Sequence, residues 1–300
     1  MNRKQNEIAF LGFGEAGFHI ARGLMEDGLT NITAYDVMQD DPVRGGLIRQ
    51  RAESIGLTLS ATMEEACCTS RFIFSLTTAK VAVAVAEQVM PMLEAGQVYV
   101  DLNSVAPSVL EAIDQIPRKK GVLLCDGAVL GNVQKNGHRV SVYLCGDGAE
   151  QFYQAFLPYH MQLKVLDKPV GAASGIKMLK SVYSKGLQQL VMEFLLASES
   201  YGVLEEMVTS IHNPMAGKTL EEYANEAMPR MIVHAARRAE EVRNAAETVL
   251  GLHLDAGMTL AAQKKFEKVA ALHLLEKYPD IGTMNYKEVT KLVLEERNAH

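Results

Sequence analysis

Ile8-Ala9-Phe10-Leu11-Gly12-Phe13-Gly14-Glu15-Ala16-Gly17 is the stretch on which the fold turns. Four apolar residues in a row read as a strand buried on both faces, and glycines spaced G-x-G-x-x-G follow it where a helical pattern begins. Each glycine answers a steric demand: Gly12 bends the chain tightly, Gly14 clears the backbone for a ligand, and Gly17 lets the helix lie close to the strand. A helix opening there presents unpaired N–H groups, the arrangement that binds a pyrophosphate. Taken alone, the spacing also describes turns that only pack a helix on a sheet. Here Asp36 ends a second apolar run, Ile32-Thr33-Ala34-Tyr35, about twenty residues on, where a carboxylate accepts hydrogen bonds from an adenosine ribose. The combination predicts a dinucleotide site formed by Gly12, Phe13, Gly14, Glu15, Ala16, Gly17 and Asp36, with Leu76 and Thr77 beside it. Asp36 repels a 2′-phosphate, which favours NAD; Arg44, Arg49 and Arg51 follow closely and leave NADP possible.

Outward from this motif, short apolar runs alternate with helical patterns as far as about residue 167. Residues 8–11, 32–35, 72–76, 98–100, 122–125, 140–144 and 163–166 read as strands. Helical patterns around 15–28, 44–54, 80–94 and 107–116 separate the earlier ones. Strand and helix in turn predict βαβ crossovers and a doubly wound, mostly parallel sheet of the Rossmann type. After Gly171 the texture changes. Residues 172–201 form one proline-free helical pattern, roughly 45 Å long at the helical rise. Further helices are predicted near 203–212, 219–249, 258–277 and 285–297, with breaks at Asn213-Pro214, Gly251 and Pro279. The reading is therefore α/β: a Rossmann domain over 1–168 and an all-helical domain over 169–300.

Length and composition set bounds on this. Three hundred residues suffice for two domains with their own cores, and 48% hydrophobic with 22% charged residues is a globular profile. A net charge of −6 argues against nucleic acid or an anionic membrane as partner. No apolar stretch is long enough to span a bilayer, and the opening apolar run is too short for a signal peptide, so a cytoplasmic protein is expected. Cys67, Cys68, Cys125 and Cys145 have no metal-ligand spacing and are expected to be reduced thiols.

These segments together resemble the β-hydroxyacid dehydrogenase superfamily, which includes 3-hydroxyisobutyrate and 6-phosphogluconate dehydrogenases. Residues 8–17 resemble its opening fingerprint. Asp101-Leu102-Asn103-Ser104-Val105-Ala106-Pro107 is similar to its substrate loop, which implies that Asn103 and Ser104 hold a substrate carboxylate. Residues 126–132 resemble the glycine loop that follows, with Leu130 and Asn132 replacing the usual serine and second glycine; Gly131 and Asn132 are the implied contacts. Gly171, six residues before Lys177, resembles the start of the long helix that carries the family's catalytic lysine. Ser181 stands where an asparagine is usual. His234-Ala235-Ala236-Arg237-Arg238-Ala239 is similar to a marker of a phosphogluconate-dehydrogenase-like branch. The resemblance implies NAD or NADP as cofactor, a small carboxylate substrate and a homodimer built through the helical domain.

The chemistry can also be read from the residues. Hydride transfer from an alcohol needs a group that takes the hydroxyl proton. No zinc-ligand spacing is visible in the sequence, so an ionisable side chain has to do this. Lys177, Ser181 and Lys185, spaced i, i+4 and i+8, form one polar stripe on the long helix. Ile176, Met178, Leu179, Val182, Leu187 and Leu190 around them suggest that part of this helix is buried, which would lower a lysine's pKa. By spacing alone solvated lysines are the better reading; the matched position is what implies catalysis by Lys177, with Ser181 and Lys185 beside the substrate. His234, Arg237, Arg238 and Glu241 likewise share a helix face, readable as a solvated charged surface or as an anion clamp. His138, His160, His212 and His273 have no partner spacing and read as structural. A hydroxy-acid or oxo-acid dehydrogenase is the leading expectation, with imine reduction and non-catalytic NAD(P) sensing as alternatives.

Overall fold

The computed structural model describes residues 6–211 and 213–298; His212 lies outside them. The first unit alternates strand and helix: β1 (Asn6–Leu11), α1 (Glu15–Glu26), β2 (Ile32–Tyr35), α2 (Gly45–Ser54), β3 (Thr58–Leu59), α3 (Met63–Cys68), β4 (Ser70–Ser75) and α4 (Ala82–Val89). It continues with β5 (Val98–Asp101), α5 (Pro107–Asp114), β6 (Leu123–Leu130), α6 (Val133–Asn136), β7 (Ser141–Cys145), α7 (Ala149–Phe156), β8 (Gln162–Val165) and the first turns of α8 (Ala172–Tyr201). The strands form one sheet in the order β3-β2-β1-β4-β5-β6-β7-β8. All neighbours are parallel except β6 and β7. The connection between those two holds only the short α6 and a single 3-10 turn, less than a parallel crossover needs, so β7 returns antiparallel.

Both sheet faces are covered, which is why these strands are apolar throughout. On β4, Phe72 and Phe74 turn to one side and meet Phe152 and Phe156 of α7, with ring centroids 4.9–6.0 Å apart. Ile73, between them, turns to the other side and joins Val89, Leu93 and Ile113. The sheet order reverses between β1 and β4, the place where a doubly wound sheet opens a ligand crevice.

Several elements differ from the sequence expectation. Residues 126–130 are the second half of β6 and not a loop. Gly127 suggests a turn, but its role is packing: a Cβ there would lie 2.5 Å from Leu102 Cδ2. The two-residue β3 and helices α3, α6 and α7 have no counterpart in the sequence reading. Helix α8 has the expected extent, yet Leu179 and Val182 are 71% and 72% exposed, and Leu187 and Leu190 are also exposed.

The chain divides into two compact units within α8, after Val182. The expected boundary was the Lys168-Pro169 turn. The first turns of α8 belong to the sheet unit because Ala173 packs with Ala128 and Cys145 of β6 and β7. The second unit contains α9 (Leu204–Ser210), α10 (Leu220–Val233), α11 (Ala235–Gly251), α12 (Gly257–Ala270), α13 (Leu274–Lys277) and α14 (Tyr286–Asn298). Its core gathers Ile232, Leu274, Ile281 and Val289. Glu193 on α8 accepts hydrogen bonds from Met258 N (2.8 Å) and Thr259 N (3.0 Å), tying that helix to the start of α12. The single helix expected over 219–249 breaks at His234, and the one over 258–277 breaks at His273, which has φ +51°.

Candidate active site

The crevice is built at the carboxyl ends of the parallel strands. Gly12, at φ +91°, follows β1, and a Cβ on it would sit 2.5 Å from Leu76 O. Only glycine brings the β1 turn this close to the end of β4. Gly14 caps α1 without any side-chain hydrogen bond, and nothing lies within 4 Å of the place its Cβ would occupy. The first N–H groups of α1 therefore face open space with the positive end of the helix dipole behind them. Asp36 closes the far side: its Oδ2 accepts from Phe13 N at 2.7 Å and its Oδ1 from Met38 N at 2.9 Å. An open glycine cradle, an uncapped helix N-terminus and an anchored carboxylate fit a dinucleotide's pyrophosphate and ribose.

Individual residues of this motif divide into backbone and side-chain roles. Phe13 is wholly buried in the core, so only its backbone faces the crevice, whereas Glu15 is exposed in the first turn of α1. Gly17 lets α1 approach; a Cβ there would lie 2.7 Å from Gly12 O. Of the three nearby arginines, Arg49 donates to Gln39 O and Arg51 lies 6.0 Å over the Phe18 ring. Arg44 is exposed, and its guanidinium has no hydrogen-bond partner among the described residues.

One strand further along the same edge lies a polar row. Leu11, Ser75, Asp101, Asp126 and Cys145 are successive register partners across β1, β4, β5, β6 and β7. Asp101 and Asp126 are each 1% exposed. Asn103 folds back over Asp101, donating its backbone N–H to Oδ1 (2.9 Å) and its amide to Oδ2 (2.8 Å) and to Ser75 Oγ (2.9 Å). Thr77 Oγ1 donates to Asn103 Oδ1 at 3.4 Å. Burial pushes the Asp101 carboxyl up to about 6; the Asn103 hydrogen bonds and the charge of Lys177 oppose that rise, and Asp126 adds to it.

Lys177 is half-buried near the start of α8. Its amine is lowered from the ordinary 10.5 by burial, against the opposing pull of Asp101. It makes no hydrogen bond or ion pair among the described residues. Asp126 fixes the helix that carries it: Oδ2 accepts from Gly171 N (2.9 Å), Ser174 N (3.3 Å), Ser174 Oγ (3.4 Å) and Cys145 Sγ (3.3 Å). Ser174 and Lys177 are i and i+3, hence on one face of α8.

The other sequence candidates are placed as follows. Ser104 is exposed with a free hydroxyl among the described residues, while the Asn103 amide is spent inside the protein. Asn132 Oδ1 caps α6 by accepting from Lys135 N at 2.9 Å, and Gly131 is exposed beside it. Ser181 Oγ donates to Lys177 O at 3.1 Å; Lys185 is exposed. In the helical unit, His234 is the exposed junction of α10 and α11, outside the helix face expected for it. Arg237 pairs with Glu241, and half-buried Arg238 is left without an ionic partner among the described residues. Asp101, Asp126 and Ser75 escaped the sequence reading as site residues. Their signal was an acidic or polar residue closing an apolar strand run.

Residues 7–160, half of the chain, match the family described as the NAD binding domain of 6-phosphogluconate dehydrogenase. The chain belongs to that family. Residues 198–269 match a domain of unknown function (DUF1932). The 2-(hydroxymethyl)glutarate dehydrogenase of Eubacterium barkeri is 24% identical over 290 residues, 90% of this chain and 91% of that protein. A conserved hypothetical protein from Sinorhizobium meliloti 1021 is 29% identical in its crystal structure, with TM-score 0.59, covering 98% of this chain and 97% of that one. A reductive aminase from Aspergillus terreus, solved with NADPH and ethyl-5-oxohexanoate, shares the fold at TM-score 0.69 and 16% identity, covering 96% of this chain and 99% of that one. This member of the 6-phosphogluconate dehydrogenase NAD-binding family is thus a hydroxyacid dehydrogenase-like oxidoreductase with NAD(P) as its cofactor. Among the described residues, no helix is long and apolar enough to cross a membrane.

Proposed function

We propose that this protein oxidises a small hydroxy acid, or reduces the matching oxo acid, with Lys177 as general acid and base. The observation that carries the reading is the Lys177 amine itself. It is half-buried, free of any ion pair among the described residues and lowered by burial, and it stands within the field of Asp101 on the strand edge that also forms the dinucleotide crevice. A bound nicotinamide supplies the hydride acceptor or donor. The neutral amine takes the proton of the substrate hydroxyl in oxidation, and the ammonium returns it to the carbonyl oxygen in reduction. Ser104, exposed and with a hydroxyl that has no partner among the described residues, is a donor for the substrate carboxylate. The Eubacterium barkeri relative, named for a hydroxy-acid dehydrogenase activity, supports the substrate class.

The test is Lys177→Met, which keeps most of the packing volume and removes the titrating group. Turnover is measured with NAD(P)+ and a panel of hydroxy acids, and with NAD(P)H, ketones and amines for imine reduction. The maximal rate of the variant is expected to fall by about 10²–10⁴, the usual worth of a positioned acid or base. Cofactor binding by fluorescence titration is expected to stay within a few-fold, because Gly12, Gly14 and Asp36 are untouched. Near-normal turnover by the variant overturns the role of Lys177. Turnover confined to the imine arm replaces the reaction, and parent protein that binds cofactor without turning over any of the panel is a sensor.

A further inference from the structure

Asp101 and Asp126 sit side by side in register on β5 and β6, both buried, yet their surroundings differ. Asp126 is consumed by α8. Two backbone N–H groups at the helix start, the Ser174 hydroxyl and the Cys145 thiol all donate to one of its oxygens. Its charge is thereby matched by the helix N-terminus. Among the described residues, Asp101 accepts only the neutral donors of Asn103. A buried carboxylate held by neutral dipoles alone is costly to ionise, and the positive charge of Lys177 lowers that cost. Ser174, pinned to Asp126, orients α8 so that Lys177, one turn on, faces the same strand edge. The Asn103 amide is locked between Asp101 and Ser75, so the Asp101 carboxylate has one fixed orientation.

We infer that Asp101 is a positioning residue for Lys177: a buried carboxylate, fixed by Asn103, that serves as counter-charge to the ammonium and holds its proton until the substrate oxygen takes it. The inference rests on the acid–base reading of Lys177 only for its effect on rate; the electrostatic coupling of the two side chains stands apart from it. No proton moves onto Asp101 in this scheme. In oxidation the amine gains the hydroxyl proton and the charge of the Asp101 carboxylate stabilises the resulting cation. The reverse reaction returns that proton while the carboxylate stays ionised. Among the described residues, three further titratable groups lie within the field of Asp101. Asp126 on β6 pushes against Asp101, while Tyr99 on β5 and Cys125 on β6, both buried and neutral, lie within its field.

The sign is fixed by charge. An anion beside an amine favours its protonated form, so removing the anion lets the amine lose its proton at lower pH. The experiment compares parent and Asp101→Asn, both without cofactor, by the pH dependence of Lys177 acylation read by mass spectrometry. The Lys177 titration is expected to move down by on the order of one unit, the scale set by a neighbouring opposite charge. The lysine-dependent limb of kcat/KM for oxidation is expected to move down with it. A merely structural Asp101 would lower the rate at every pH and leave the limb in place. If Asp101→Asn shows no cooperative unfolding transition, Asn103→Ala takes its place. It removes the amide donor to Asp101, makes the carboxylate easier to protonate and is expected to shift the Lys177 acylation curve in the same direction by less. An unmoved acylation curve in the folded variant overturns the inference. A moved curve together with full activity of Lys177→Met upholds the pairing and refutes the acid–base reading instead.

Discussion

At the scale of single residues, cofactor choice is decided by how rigidly Asp36 is held. Both carboxylate oxygens accept a backbone N–H, from Phe13 and Met38, and each keeps a lone pair for a ribose hydroxyl. A carboxylate so anchored cannot swing aside for a 2′-phosphate. The parent is therefore expected to bind NADH more tightly than NADPH in fluorescence titrations. Asp36→Ala is expected to narrow the gap from both directions, weakening NADH and easing the repulsion of NADPH. Arg44 sets the contrary outcome, because its guanidinium is exposed and has no hydrogen-bond partner among the described residues. A parent that clearly prefers NADPH would assign the phosphate to it. The glycine motif and Asp36 were legible because turn geometry and β-strand ends leave few residue types able to serve there. Asp101 was not, since its importance comes from Asn103 and Lys177 folding onto it, a relation across 76 positions that no local spacing reports.

At the scale of elements, helix α1 ends against its own electrostatics. Asp27 is its C-cap, where a negative charge meets the negative end of the helix dipole. Three side chains from later segments reverse that penalty. His138 Nε2 lies 2.8 Å from Asp27 Oδ2, Arg139 donates to Oδ1 at 2.8 Å, and His160 Nδ1 lies 3.0 Å from Oδ2. The His138 hydrogen bond, with those of Arg139 and His160, holds the Asp27 carboxyl well below its ordinary value of 3.8. A depressed carboxyl pKa contributes stability that is fully present above that ordinary value and is lost as pH falls toward the folded-state value. Thermal unfolding followed by circular dichroism from pH 7 down to about pH 2 is expected to show a loss of Tm that sets in below about pH 4 and continues to the acid end of the scan. In Asp27→Asn, Tm is expected to be lower at pH 7 and to fall less steeply. Equal Tm values for both proteins at pH 7 would show that the cluster contributes nothing. The sequence left these histidines without partners because Asp27 lies more than a hundred positions from either. Helix α8, by contrast, was readable end to end, since its limits depend on local pattern. The break at His234 was not: Pro229 sits inside α10 and the helix continues past it, so the strongest breaker in the region does not mark the end.

At the scale of the whole molecule, the question is what covers the apolar face of α8. Leu179 and Val182 are more than two-thirds exposed, and Leu187, Leu190, Val191 and Leu196 are each about half exposed. In the helical unit, Leu190, Phe194, Val203, Met207, Val249 and Leu252 line an open apolar groove. Each square ångström of such surface left in water forgoes roughly 25 cal/mol, and monomeric proteins rarely carry a contiguous patch beyond a few hundred square ångströms. A second copy of the chain is the partner expected here, consistent with the homodimer implied by the sequence resemblance. Light scattering at micromolar concentration should return twice the mass of one 32.9 kDa chain. Leu179→Lys combined with Val182→Lys, spaced i and i+3, places two charges on one exposed face without touching either unit's core, and is expected to return one chain's mass with the circular dichroism spectrum retained. A parent that scatters as a monomer would mean that the α8 face stays in water. A doubly substituted protein that remains a dimer would place the interface elsewhere.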